Sequence, residues 1–132
     1  MGFFDRVRTL FGRDTVPLVA MPRDPREVEA RSLEVHTANL SPDTDEIIVI
    51  ITLDEDAFQE LSLIDAPLRL TSPTSRPVTF VTGITGGAPT LDPNYGWIIP
   101  VTDATREELH ALPPGRGEHE LATIHVGLIV LE

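Results

Sequence analysis

The spacing of apolar residues at the start of the chain is that of a helix. Five apolar side chains fall within an arc of about 120° on a helical wheel drawn at ~100° per residue. They are Phe3, Phe4, Val7, Leu10 and Phe11. Arg6 and Arg8 lie outside that arc, and Gly12 ends the pattern. The sequence therefore predicts an amphipathic helix over residues 1–13.

Further along, the apolar spacing changes to that of strands. Residues 32–40 alternate apolar and polar, and residues 46–53 form a continuous apolar run. Such a run is typical of a central strand covered on both faces. Shorter strands are predicted at 67–71, 77–83 and 97–101, and a long strand at 120–132.

Helices and connections are predicted between these strands. Residues 54–63 predict a helix with an acidic first turn. Residues 102–115 predict a cap, a helix and a stop at the paired prolines. Asp24, Pro25 and Glu27 resemble the capped start of another short helix. Residues 14–25 hold three prolines and predict an extended connector, and residues 84–96 predict a loop.

Together these elements predict an α+β fold. We expect a mixed or antiparallel sheet of about six strands with two or three short helices, plus the N-terminal amphipathic helix. The predicted organisation is a helix at 1–13, a connector at 14–25 and a single α+β domain at 26–132. The predicted core consists of Ile47, Val49, Ile51, Phe58, Leu61, Phe80, Ile98, Leu109, Ile124, Val126, Leu128 and Val130.

Two segments of the chain resemble one another. Residues 49–61 (VIITLDEDAFQEL) and 97–109 (WIIPVTDATREEL) align without gaps and share an Ile-Ile pair and a closing Glu-Leu. Both predict an apolar strand, a polar cap and a short helix. The similarity indicates either a pseudo-repeat or two uses of one common local pattern.

Charge limits the partners that the chain can have. Its formal net charge is −11, and all ten of its cations are arginine. Residues 1–13 carry a local charge of +2, whereas residues 24–65 hold twelve acids against two arginines. This balance disfavours a nucleic-acid partner, which requires clustered cations, and suits a basic protein partner. No apolar run is long enough to span a bilayer and no cleavable signal pattern is present, so a cytoplasmic location is expected.

The sequence predicts no cofactor, metal or catalytic site. Asp43, Asp45, Asp54 and Asp56 offer oxygen ligands, but they lack the glycine and glutamate spacing of a calcium loop. The glycine-rich stretch 82–90 continues into prolines rather than a helix, and the chain has no lysine, so a phosphate cradle is disfavoured. His119 and His125 are about 20 Å apart if they share one strand, which is too far to share an ion.

An interaction protein is the leading hypothesis. Residues 3–11 would dock on a protein partner, a second copy of the chain or an anionic membrane surface, with Arg6 and Arg8 beside the apolar face. Packing of the same helix on its own domain remains an alternative. A second interface is expected at the only tyrosine and tryptophan, Tyr95 and Trp97, or at the four aspartates named above.

Two other functions remain open. The acidic stretch 24–65 suits an inhibitor or immunity-type protein that masks a basic partner. An enzyme is the least favoured class, because no G-x-S-x-G turn surrounds any serine and thiol chemistry is excluded by the absence of cysteine.

One segment resembles a known family. Residues 95–112 (YGWIIPVTDATREELHAL) are similar to the strand–proline–acidic-helix segment of suppressor-of-fused-type domains. The resemblance covers 18 of the 132 residues, and it implies no residue role in this chain.

Overall fold

The computed structural model describes Pro22, residues 24–43 and residues 45–131. The predicted N-terminal helix lies outside these ranges. The described residues form nine strands and two helices, which confirms the α+β class. The strands are β1 (Arg26–Glu29), β2 (Leu33–Asn39), β3 (Ile47–Asp54), β4 (Leu68–Ser72), β5 (Ser75–Val81), β6 (Thr90–Asp92), β7 (Gly96–Pro100), β8 (Gly117–Glu120) and β9 (Val126–Leu131), and the helices are α1 (Glu55–Ser62) and α2 (Asp103–His110).

The strands form two mixed sheets rather than the single sheet expected from the sequence. Sheet A has the order β1-β4-β5-β7-β6, and sheet B has the order β2-β3-β9-β8. In sheet A, the pairs β1–β4 and β5–β7 are parallel; in sheet B, β3–β9 is parallel. The other neighbours are antiparallel. Strands far apart in sequence therefore meet at the centre of each sheet.

The resemblance between residues 49–61 and 97–109 extends to the topology. Strands β2 to β5 enclose α1 as hairpin, helix and hairpin, and strands β6 to β9 enclose α2 in the same way. A shift of 48 positions relates α1 to α2, and the same shift makes Trp97 the equivalent of Val49. The same shift relates the parallel pair Val49–Val126 to the pair Trp97–Val78. Each unit thus contributes one hairpin to each sheet, and a shift of 48 residues relates the helices and the central parallel pairs of the two units.

One hydrophobic core joins both sheets and both helices. Its largest fully buried side chains include Phe58 of α1 and Phe80 of sheet A. Ten of the twelve predicted core residues are buried. The exceptions are Ile47, which lies at the start of β3 and is 44% exposed, and Ile124, which is only partly buried. None of the helices in the described part of the chain is long and apolar enough to cross a membrane.

The helix predicted at Asp24 is wrong. Residues Arg26–Glu29 form strand β1, which pairs in parallel with β4 through Val28 and Leu70. The chain then turns at once into β2, because the backbone N–H groups of Arg31 and Ser32 donate to the Asp54 carboxylate. These long-range bonds outweigh the local capping pattern.

Two further predictions are corrected by strand pairing. Residues 90–92 of the predicted loop form β6, because they pair with β7 from Thr90 to Asp92. Of the predicted strand at 120–132, only Val126–Leu131 forms a strand, β9. Glu120 ends β8, and the chain turns between the two strands, where Leu121 N–H donates to the carbonyl of Val126. The 20 Å separation assigned to His119 and His125 therefore does not hold, because the chain turns between them. No group of three or more metal-ligating side chains occurs within residues 24–43 and 45–131.

Candidate interaction surface

The residues of the predicted N-terminal interface lie outside the described residues. They are Phe3, Phe4, Arg6, Val7, Arg8, Leu10 and Phe11. Their role in binding a partner, a second copy or a membrane stays a prediction. The surfaces of the described domain, in contrast, can be built from its residues.

Tyr95 and Trp97 lie close in sequence but have different environments. The Asp92 carboxylate accepts hydrogen bonds from the backbone N–H groups of Asn94 (2.7 Å) and Tyr95 (2.9 Å), which shapes the turn between β6 and β7. Tyr95 is half exposed at this turn. Trp97 is partly buried and packs against the core. Tyr95 is thus the more accessible of the two aromatic residues.

Asp54 is an internal anchor rather than a surface residue. The residue is 1% exposed, and its Oδ1 accepts from the N–H groups of Arg31 (2.8 Å) and Ser32 (3.1 Å). Its Oδ2 accepts from Ala57 N–H (3.2 Å) and caps α1. Burial raises the pKa of this carboxyl, but the backbone donors Ser32, Ala57 and Arg31 outweigh burial and hold the pKa below its ordinary value. The ionised carboxylate of Asp54 therefore stabilises the fold.

The other three aspartates are exposed but do not form one cluster with Asp54. The Arg31 guanidinium lies 3.6 Å from both Asp54 and Asp56. Asp43 and Asp45 lie in the connection that precedes β3, whereas Asp54 ends that strand. At ~3.3 Å per residue, the eight residues of β3 separate these groups by roughly 23 Å. The acidic stretch is therefore spread over two ends of the domain.

Sheet B presents an apolar outer face that the sequence analysis missed. Paired residues of neighbouring strands share a face, so Ile50 of β3 lies beside Gly127 of β9, with Ile48 and Ile129 on the same side. The three isoleucines are only half buried, whereas Val49 and Ile51 on the opposite face are fully buried. The apolar run of β3 is thus covered on one face, not on both as predicted.

Carboxylates border this outer face on both edge strands. On β8, Glu118 pairs with Ile129 and Glu120 pairs with Gly127, and both glutamates are exposed. On β2, Glu34 pairs with Thr52 and is also exposed. Its carboxylate lies 3.6 Å from Nε2 of His36, which pairs with Ile50 on the same face. We define the sheet-B outer face as Ile48, Ile50, Gly127 and Ile129, with Glu34, Glu118 and Glu120 as its acidic rim. An apolar centre within an anionic rim suits a ligand that is apolar and basic.

A groove runs along this face above Gly127. It has a volume of about 310 Å³ and is lined by Ile48, Ile50, Glu118, Glu120 and Ile129 among others. Gly127 forms the floor of the groove, because it has no side chain. A Cβ atom placed there would lie 3.6 Å from Ile48 Cδ1 and 3.9 Å from Ile50 Cγ1, which are ordinary contact distances. The depth of the groove therefore depends on the glycine.

The correspondence between the two units relates this face to the outer face of sheet A. The 48-residue shift converts Thr79, Val81 and Ile98 into Gly127, Ile129 and Ile50. In sheet A the three side chains are buried, at 0%, 5% and 6% exposure. In sheet B both isoleucines remain partly exposed. Of the two related faces, that of sheet B is the open one.

The turn beside β8 and β9 is held by Glu108 of α2. Its carboxylate accepts from the N–H groups of Ala122 (2.6 Å) and Thr123 (3.0 Å) and from the Thr123 hydroxyl (2.7 Å). Burial raises the pKa of Glu108, but the Thr123 and Ala122 donors outweigh it and keep the pKa below its ordinary value. The ionised side chain thus fixes the hairpin that carries one side of the acidic rim.

No protein-family model matches the chain, and no curated protein matches it.

Proposed function

We propose that this chain is a non-enzymatic interaction or assembly protein that docks on a larger partner through residues 3–11. These residues hold three of the five phenylalanines of the chain and two arginines in a protein of net charge −11. A proline-rich connector, residues 14–25, separates them from the domain. A helix of two or three turns is marginal alone and requires a surface to fold against.

The observation that supports this proposal most is the core of the described domain. Twenty buried residues, from Ala30 to Val130, already join both sheets and both helices in one cluster. The described residues alone thus form one continuous core. The proposal assigns the apolar face of residues 3–11 to another surface. A cytoplasmic location suits such a protein and is part of the proposal.

A basic protein is the second candidate partner, bound through the acidic stretch 24–65. Asp43, Asp45 and Asp56 are exposed in the structure, which favours this alternative. Several other acids of the stretch are already paired within the domain, such as Glu27 with Arg69 and Glu60 with Arg26. The acidic stretch is thus partly neutralised, and we rank it below residues 3–11. An anionic membrane is the alternative surface for the same helix.

A pull-down from the native source tests the proposal. The baits are the full chain and a variant with Phe3, Phe4 and Phe11 each changed to serine. Thr9→Ala is the matched control, because Thr9 lies in the same segment but outside the apolar arc. We expect one partner to be retained by the full chain and by Thr9→Ala and lost with the triple variant.

Two outcomes would contradict the proposal. Equal recovery of every partner by all three baits would show that the phenylalanines are not used. Recovery that depends on salt but not on the phenylalanines would favour the acidic stretch instead. Vesicles of anionic lipid, tested with the same variants, separate a membrane from a protein partner.

A further inference from the structure

We propose that, in the free protein, residues 3–11 dock on the sheet-B outer face of the same chain, and that a partner must displace them from it. This inference goes beyond the proposed function, because it names a resting place for the helix within the molecule. Only the displacement step rests on the proposed function. The docking itself can be tested without any partner.

The shapes of the two surfaces match. Nine helical residues extend about 13 Å at ~1.5 Å per residue. Strand β3 has eight residues, and the four strands of sheet B together are roughly 14 Å wide at ~4.8 Å between neighbours. A helix of this length fits along the groove above Gly127. Its phenylalanines would cover Ile48, Ile50 and Ile129, which are partly exposed.

The charges of the two surfaces are also complementary. Arg6 and Arg8 flank the apolar arc of the helix, and Glu34, Glu118 and Glu120 flank the apolar centre of the sheet. A second copy packed face to face through sheet B would bring like-charged rims together, which is unfavourable. The apolar and basic ligand that this face requires is therefore found in the first eleven residues of the chain itself.

The connector allows docking within one molecule. Residues 14–25 extend up to about 37 Å in a proline-rich conformation at ~3.1 Å per residue. The domain has an expected radius of gyration of about 13 Å, so the connector can reach either sheet. An effective concentration of about 1 mM would hold a segment of ~0.1 mM affinity in place in about nine chains of ten. Docking of this strength is stable yet open to displacement.

Paramagnetic broadening of amide signals tests the docking directly. The chain has no cysteine, so Thr9→Cys introduces one site for a nitroxide label outside the apolar arc. In the full chain labelled with ¹⁵N, we expect strong broadening at Ile48, Ile50, Gly127 and Ile129. Thr79 and Ile98, the related positions in sheet A, serve as the internal reference and should broaden much less.

Gly127→Val blocks the groove without changing the backbone. The glycine lacks the positive φ that would strain a side chain, and the new Cβ has room. Valine is also favoured in strands. We expect the broadening at Ile50 and Ile129 to be lost. Gly86→Val is the matched control, because Gly86 lies in a loop with open space around it, and it should leave the broadening unchanged.

If Gly127→Val does not fold, a second variant tests the same docking. Glu118→Arg combined with Glu120→Arg changes only exposed side chains and should weaken the broadening several-fold at low salt. Glu107→Arg, on the exposed side of α2, is its control. Broadening that is unaffected by these changes at the rim and the groove would overturn the proposal.

The remaining outcomes are equally decisive. Broadening centred on sheet A, or absent from both sheets, would overturn the proposal. Docking between copies is detected by mixing chains that carry the nitroxide but no ¹⁵N with chains that carry ¹⁵N but no nitroxide. Broadening in that mixture would overturn docking within one molecule. If the broadening is as expected but the phenylalanine variants bind every partner normally, the docking stands and the proposed function fails.

Discussion

Replacing Asp54 with alanine should destabilise the domain far more than a helix cap alone would. The carboxylate accepts from the backbone N–H groups of Arg31, Ser32 and Ala57, and it is almost fully buried. Only the bond to Ala57 caps α1. The other two hold the turn between β1 and β2, and therefore the point where the chain passes from sheet A to sheet B.

The size of the effect follows from these bonds. Loss of an N-cap costs about 1 kcal/mol. A hydrogen bond to a charged group contributes about 1.5–3 kcal/mol, although bonds to one carboxylate do not add fully. We therefore expect Asp54→Ala to lower the free energy of unfolding by about 3 kcal/mol. With an unfolding entropy of about 2.1 cal/mol/K per residue over roughly 110 ordered residues, the melting temperature should fall by about 13 °C.

Thr102→Ala is the matched control, because the 48-residue shift places Thr102 at the equivalent cap of α2. Its hydroxyl accepts from Thr105 N–H (3.2 Å) as Asp54 accepts from Ala57. Thr102→Ala should lower the free energy of unfolding by about 1 kcal/mol and the melting temperature by roughly 4 °C. Both variants are compared with the parent by urea unfolding and by thermal melts followed with circular dichroism. Equal losses for the two variants would refute the role of Asp54 in joining the sheets.

Two further predictions concern acid sensitivity and one glycine. Asp54→Asn should lower the free energy of unfolding at neutral pH and lower it progressively less on acidification. The pKa of Asp54 is lower in the folded protein than the value of about 3.9 in the unfolded chain, so its charge contributes stability above that unfolded-state pKa. This contribution is lost as the pH falls through the folded-state pKa. A cost that stays constant from pH 7 to pH 3 in urea titrations would contradict this. Gly96→Ala should cost about 2 kcal/mol or more, because Gly96 has a φ of +82° and a Cβ there would clash with the carbonyl oxygen of Pro77. Gly86→Ala should be nearly neutral in the same assay, and a similar cost for both would argue against the clash.

Local elements follow closely from the sequence. The apolar run before Asp54 forms β3, and the acids after it begin α1, as predicted. Caps and apolar runs act between residues near in sequence, so their pattern is visible in one segment. The repeated strand–cap–helix unit at Trp97 and Thr102 could be recognised for the same reason.

The division into two sheets could not be derived in this way. It depends on parallel pairs such as Val49–Val126 and Trp97–Val78, which join residues far apart in the chain. Nothing in the local pattern of β3 distinguishes its covered face from its open face, because isoleucine occupies both. The sheet-B outer face was therefore missed. Asp54 directly follows the predicted strand and stands three residues before Ala57. This spacing is typical of a helix N-cap, and it was the available signal for the capping role of Asp54.

The thermal melt of the domain with and without residues 1–13 tests most directly whether residues 3–11 serve another surface or the core of their own domain. Residues that serve a partner, and dock at rest in about nine chains of ten, should lower the free energy of unfolding by about 1.4 kcal/mol or less when removed, a shift of roughly 6 °C at most. Four large apolar side chains buried in the core would contribute ~2 kcal/mol each, about 8 kcal/mol together. A deletion that lowers the melting temperature by more than about 20 °C, or prevents folding, would contradict the proposed role.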